Sequence, residues 1–98
     1  MLDVYFLADY LSGSKAVPAQ KDRIFSLDDF SLFKPGFEFL RSKTGVEIDE
    51  YGDTRLYPDH QRLLLDYWKD DLNLSVRKFA AFLTLAVNDN EVLLFIGD

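Results

Sequence analysis

No cysteine occurs anywhere in this 98-residue chain, so neither a disulfide framework nor thiolate chemistry can hold it together. A chain of this size buries only about two-thirds of the surface that its unfolded form exposes. Its stability must therefore come from one apolar core, and a single domain over residues 1–98 is expected. The missing cysteines also fit a reducing cytosol, so the expected location is cytoplasmic. Hydrophobic residues make up 48% of the sequence and include nine Phe. Two readings of those rings stay open. They fill a Phe-rich core, or part of the surplus remains exposed and serves an interface.

The apolar spacing points to mixed secondary structure. Val4, Phe6 and Ala8 alternate with Tyr5, Leu7 and Asp9, which predicts a strand over Asp3–Tyr10 inside a sheet. Ser12–Asp22 is polar, contains Gly13 and Pro18, and reads as a loop. A short strand is expected over Arg23–Ser26. Ser26-Leu27-Asp28-Asp29 then matches a capping pattern, and the helical turn it opens should end before Pro35. Phe37–Thr44 is expected as a second short helix, with Arg41 and Lys43 at its C-terminal end and Gly45 as its stop.

Val46–Asp49 is expected to be extended, and Glu50-Tyr51-Gly52-Asp53 to turn, because Gly bends freely and Asp bonds its own backbone. After an extended Thr54–Tyr57, Pro58 and Asp59 suit the start of a helix running to about Asp71. Leu64, Tyr67, Trp68 and Leu72 form its apolar stripe. Ser75 is the expected N-cap of a last helix, in which Val76, Phe79, Ala80, Leu83 and Val87 recur at three and four. The same stretch also alternates as a strand; the Ser start and the two Ala favour the helix. Val92–Ile96 is a strand in either case. The expected class is α+β: a small sheet with the N- and C-terminal strands central and two C-terminal helices on one face.

No catalytic constellation assembles. His60 is the only histidine, and it needs a nucleophile or other ligands beside it to act. A surface helix position is the plainer reading. Asp49, Glu50 and Asp53 crowd around Gly52 but lack the acid spacing of a calcium loop, so no metal site is expected. Ser12-Gly13-Ser14-Lys15 lacks the spacing of a phosphate loop. The chain is expected to be no enzyme and to need no cofactor. The longest uncharged apolar run, Phe79–Val87, is about half a membrane span.

Charge is the sharpest feature. The net charge is −6, which argues against nucleic-acid binding and against an anionic membrane surface. Asp49, Glu50, Asp53, Asp59, Asp66, Asp70 and Asp71 stand against Arg55, Arg62 and Lys69, so residues 49–71 carry seven acids less three bases, −4 of that total. One reading is a negative surface for a basic protein partner. The other is an ordinary solvated helix face. On the first reading the partner-binding residues are Asp49, Glu50, Tyr51, Asp53 and Asp59, with Tyr51 as an aromatic anchor.

The segment Ile48-Asp49-Glu50-Tyr51-Gly52-Asp53-Thr54 leading into a helix, with the closing Leu93-Leu94-Phe95-Ile96-Gly97-Asp98, resembles small bacterial immunity proteins of polymorphic-toxin systems of the contact-dependent inhibition type. The resemblance covers the C-terminal half. It implies a cytosolic toxin inhibitor that binds a cognate toxin domain, often a nuclease with a basic cleft. The alternative is a small cytosolic adaptor or regulatory protein that acts as a homodimer.

Overall fold

The computed structural model describes residues 2–12 and 24–97. β1 (Leu2–Phe6) buries Leu2, Val4 and Phe6 on one face by simple alternation. It lies at the centre of the sheet, between β2 (Ile24–Leu27) and β4 (Leu93–Gly97), and β3 (Asp53–Leu56) pairs on the far side of β4. Every pairing is antiparallel, so the order is β2-β1-β4-β3 with the N- and C-terminal strands central, as expected. β1 stops four residues short of the expected Tyr10. The last pairs among the described residues are Phe6 with Leu93 and Tyr5 with Ile24. The Leu7 N–H still donates to the Val92 carbonyl at 2.9 Å, but from Leu7 the backbone turns into a short helix, α1 (Leu7–Ser12). The loop expected over 12–22 lies outside the described residues apart from Ser12, which ends α1.

The two short helices expected on either side of Pro35 are one helix, α2 (Phe30–Thr44), with Pro35 inside it. Pro removes one N–H from the helical ladder. Here the loss falls on an exposed side, shared by Ser31 and Pro35, where water can reach the backbone. Burial of Phe33, Gly36, Phe37 and Leu40 on the opposite side keeps the helix continuous. Ser26 is not its cap: it lies in β2 and donates from Oγ to Asp3 Oδ1 at 2.7 Å. The N-cap is Asp29, whose carboxylate accepts from Ser31 Oγ. At the other end Gly45 takes a left-handed φ of 79° and returns its N–H to the Arg41 carbonyl, the stop that its position predicts.

α3 (Pro58–Trp68) starts at Pro58 as expected but ends before Asp71, because the Asp71 N–H turns back to the Trp68 carbonyl at 3.1 Å. α4 (Leu74–Asn88) is a helix, which resolves the ambiguity over residues 79–87. Its cap is Asn73, not Ser75: Asn73 Oδ1 accepts from the N–H groups of Ser75 and Val76.

The helices α2, α3 and α4 cover one face of the sheet. The core between them is largely aromatic. Phe37 of α2 and Phe79 of α4 both meet Phe95 of β4 edge-on, each with ring centroids 6.2 Å apart. Trp68 sits among Phe33, Phe37 and Phe79 at 5.7–5.8 Å and is almost wholly buried. Six of the nine Phe are buried in the core, and Phe25, Phe30 and Phe39 stay partly exposed at its margin.

Candidate functional site

The acidic turn is built on two backbone anchors. Asp49 Oδ1 accepts the Tyr51 N–H at 2.9 Å, and the Gly52 N–H donates to the Asp49 carbonyl at 3.3 Å. The local Asp bond that turns the chain is therefore made by Asp49, which leaves Asp53 to open β3. Behind the turn stands the end of β4. The Gly97 N–H donates to the Gly52 carbonyl at 3.0 Å, and a Cβ on Gly97 would overlap the Glu50 carbonyl. Thr54 Oγ1 donates to the Glu47 carbonyl at 3.2 Å and ties the incoming segment to β3. Ile48 is buried in the core beneath it.

This frame turns the side chains outward. Tyr51 is 72% exposed, Asp49 and Asp53 are exposed, and Glu50 is half-buried. Among the described residues, no cation lies within ion-pair distance of these three acids. Asp59 is not brought to them. It lies beyond the other end of β3, a strand about 13 Å long, and its carboxylate accepts from Arg62 Nη1 at 2.7 Å. The five expected partner-binding residues thus form a group of four and a separate one.

The rest of the acidic stretch follows α3. Asp66 pairs with Lys69 at 3.4 Å, and Asp71 Oδ1 accepts the Asn73 N–H at 2.8 Å. The exposed pairs on α3 add little stability, since solvent screens both partners. Each pair sets one base against one acid, so Asp59 and Asp66 add little to the surface field. The cleft of about 200 Å³ between α2 and the segment before the turn does not extend that field, because Lys34 and Arg41 balance Glu38 and Glu47 on its walls.

His60 has a local task. Its Nδ1 accepts the Tyr57 N–H at 3.3 Å, and its ring stands 5.9 Å from the Tyr57 ring, so it closes the first turn of α3. Among the described residues, no group of three His, Asp or Glu side chains is placed to hold a metal ion. No helix among them is long and apolar enough to cross a membrane.

One supporting residue escaped the sequence reading. Gln61 is fully buried, and its Nε2 donates to the carbonyls of Leu56 at 2.7 Å and Glu91 at 2.9 Å. It fastens the end of β3 and the start of α3 to the approach to β4. The signal was present, since Gln61 shares the line of Leu64 and Trp68 at three and seven residues. A polar residue on an apolar line is easily taken for its edge.

No family model matches this chain, and no curated protein matches it. Its fold is similar to that of a solved structure described as Neisseria DNA mimic protein DMP12, with a TM-score of 0.71 over 97% of each chain. The two sequences are 11% identical, so the likeness is one of fold.

Proposed function

We propose that this chain is a non-catalytic, protein-binding inhibitor that neutralises a basic partner through its acidic turn and α3, and that the partner is a cognate bacterial toxin domain of nuclease type. The carrying observation is the rigid outward display of Asp49, Tyr51 and Asp53 on a turn whose backbone is clasped by Gly97. Carboxylates held in place meet a basic surface without the ordering cost that a flexible loop would bring. The aromatic ring between them adds an anchor of the kind that concentrates binding energy.

The DNA mimic of similar fold supports a partner whose surface ordinarily receives nucleic-acid phosphates. A nuclease cleft is such a surface, and the resemblance to immunity proteins points the same way. On this reading the chain itself binds no nucleic acid and works in the cytoplasm beside its toxin.

The test is direct. The reading requires a toxin domain encoded next to this gene; that domain is purified, and its nuclease activity is measured with and without the chain. Stoichiometric binding with loss of cleavage supports the reading. A toxin domain that stays fully active in an excess of the chain overturns it.

A further inference from the structure

Strand pairing sorts the sheet residues onto two faces, because partners in register share a face. The helices α2, α3 and α4 cover the face that holds Val4 and Phe95. The other face carries two rows of side chains. Ser26, Asp3, Ile96 and Asp53 form the row next to the acidic turn. Ile24, Tyr5, Leu94 and Arg55 form the row behind it. Ile24, Tyr5, Leu94 and Ile96 are neighbours in this grid, and each is only partly buried. Scattered surface residues of this kind need no explanation, but a contiguous patch does.

We propose that the basic partner seats on this face as well as on the acidic turn, with Asp3 and Asp53 as contacts on either side of Ile96. The inference rests on the inhibitor reading for the nature of the partner. Charge complementarity selects this occupant. Asp53 belongs both to the turn and to the first row. Asp3 stands two strands away on the same face, about 10 Å across the sheet. That is about one Debye length at 0.1 M salt, so the two carboxylates act on an approaching partner together. Asp28 follows Leu27, at the end of the sheet where Leu2 pairs with both Leu27 and Gly97, and so extends the same acidic rim. Among the described residues, no cation lies within ion-pair distance of Asp3, Asp28 or Asp53. Arg55 is the one base in the two rows, and it stands at the β3 edge of the row away from the turn.

The helical side has the opposite character. α2 and α4 carry Lys34, Arg41, Lys43, Arg77 and Lys78 against the single acid Glu38. A basic partner is therefore repelled from those helices and steered to the sheet side. An apolar patch with an acidic rim has the layout of a protein interface, in which the centre loses its water and the rim sets orientation.

Two measurements separate this inference from the reading on which it rests. The first needs no toxin. Backbone amide shifts of the whole chain are followed as an oligolysine peptide is added at low salt. Shifts should concentrate at residues 3–5 and 94–96 together with 49–54, and should fade at about 0.5 M salt. A titration that leaves residues 3–5 and 94–96 unmoved overturns the inference. The second uses the toxin domain of the inhibitor test. Asp3→Lys should weaken its binding by at least about tenfold. Asp3→Asn, which keeps an oxygen for Ser26 Oγ, should weaken it by about threefold. Glu38→Lys, on α2, should stay within about twofold of the wild type. Melting temperatures of the three variants should lie within about 3 °C of the wild type. Toxin binding that Asp3→Lys and Asp3→Asn leave unchanged overturns the inference and spares the inhibitor reading. A toxin domain that does not bind removes the inhibitor reading, and the oligolysine shifts then decide the surface alone.

Discussion

Gly97 donates its N–H to the carbonyl oxygen of Gly52 at 3.0 Å and leaves no room for a Cβ against the Glu50 carbonyl. The turn around Tyr51-Gly52-Asp53 and the end of β4 at Gly97 are therefore one structural unit. The last residues of β4 hold the backbone of the acidic turn, and Asp53 pairs with Ile96 beside it.

That clasp gives the first prediction. Gly97→Ala forces its methyl group into the Glu50 carbonyl and should push the turn off β4. The expected cost is about 1–3 kcal/mol, the usual range for overpacking. Urea denaturation measures it, and backbone NMR shifts should concentrate at residues 49–54. Unchanged stability and unperturbed shifts there would refute the clasp.

The second prediction concerns a glycine whose substitution should have the opposite of its usual sign. In an exposed helix interior Gly→Ala stabilises by about 1 kcal/mol. Gly36, inside α2, faces the Trp68 indole closely enough that a Cβ would overlap it. Gly36→Ala should therefore destabilise by about 1–3 kcal/mol. Trp68→Ala should cost about 3–5 kcal/mol. Denaturant titrations read both, and the Trp68 emission of the native chain should be that of a buried indole.

The third prediction separates the charge of the turn from its geometry. Asp49→Asn removes a charge but keeps an oxygen that can accept the Tyr51 N–H. Asp53→Lys reverses a charge that makes no such bond. Together they should weaken binding to the proposed basic partner by at least about tenfold, or 1.4 kcal/mol. The loss should fall mainly on the association rate, and rising salt should weaken the wild-type complex. Melting temperatures should change little. Surface plasmon resonance on the same samples checks both halves. An unaltered rate and affinity would remove the turn from the interface.

The fourth prediction tests which residue caps α4. Asn73→Ala removes the acceptor for two N–H groups and should cost about 1 kcal/mol. Ser75→Ala, inside the helix, should stay within about 0.5 kcal/mol. Thermal melts distinguish them. Equal losses would mean that the cap is shared.

Periodicity reported burial well where a segment was long or regular. Leu64 and Trp68 on α3, the three-and-four spacing of α4, and the alternation in β1 and β4 all follow from one face meeting one core, whereas Tyr67 and Leu72 of the expected α3 stripe are exposed, Leu72 because α3 has already ended. Local chemistry was equally readable at Pro58 and Gly45, where a fixed φ and a left-handed φ are needed whatever the rest of the chain does. Pro35 misled for the same reason. It disfavours a helix locally, and only the burial of Phe33, Gly36, Phe37 and Leu40 on one side, with the Trp68 ring packed against Gly36, explains why the helix continues. The end of β1 was likewise invisible, since the alternation runs on through residues 7–9 where the backbone has already turned into α1.

The candidate site divides in the same way. Its acids, its tyrosine and the bend at Gly52 are properties of consecutive residues, and the excess negative charge of 49–71 is a sum over the sequence. Whether those residues act together is a matter of distance in three dimensions. β3 carries Asp59 away from the turn, Gly97 comes from the far end of the chain to hold the turn in place, and Gln61 is buried by elements thirty residues apart. Sequence alone determined which chemistry is available and which faces are apolar, because those depend on residue type and spacing. Tertiary structure decided which carboxylates share a surface, because strand pairing and core packing join residues that no local pattern links.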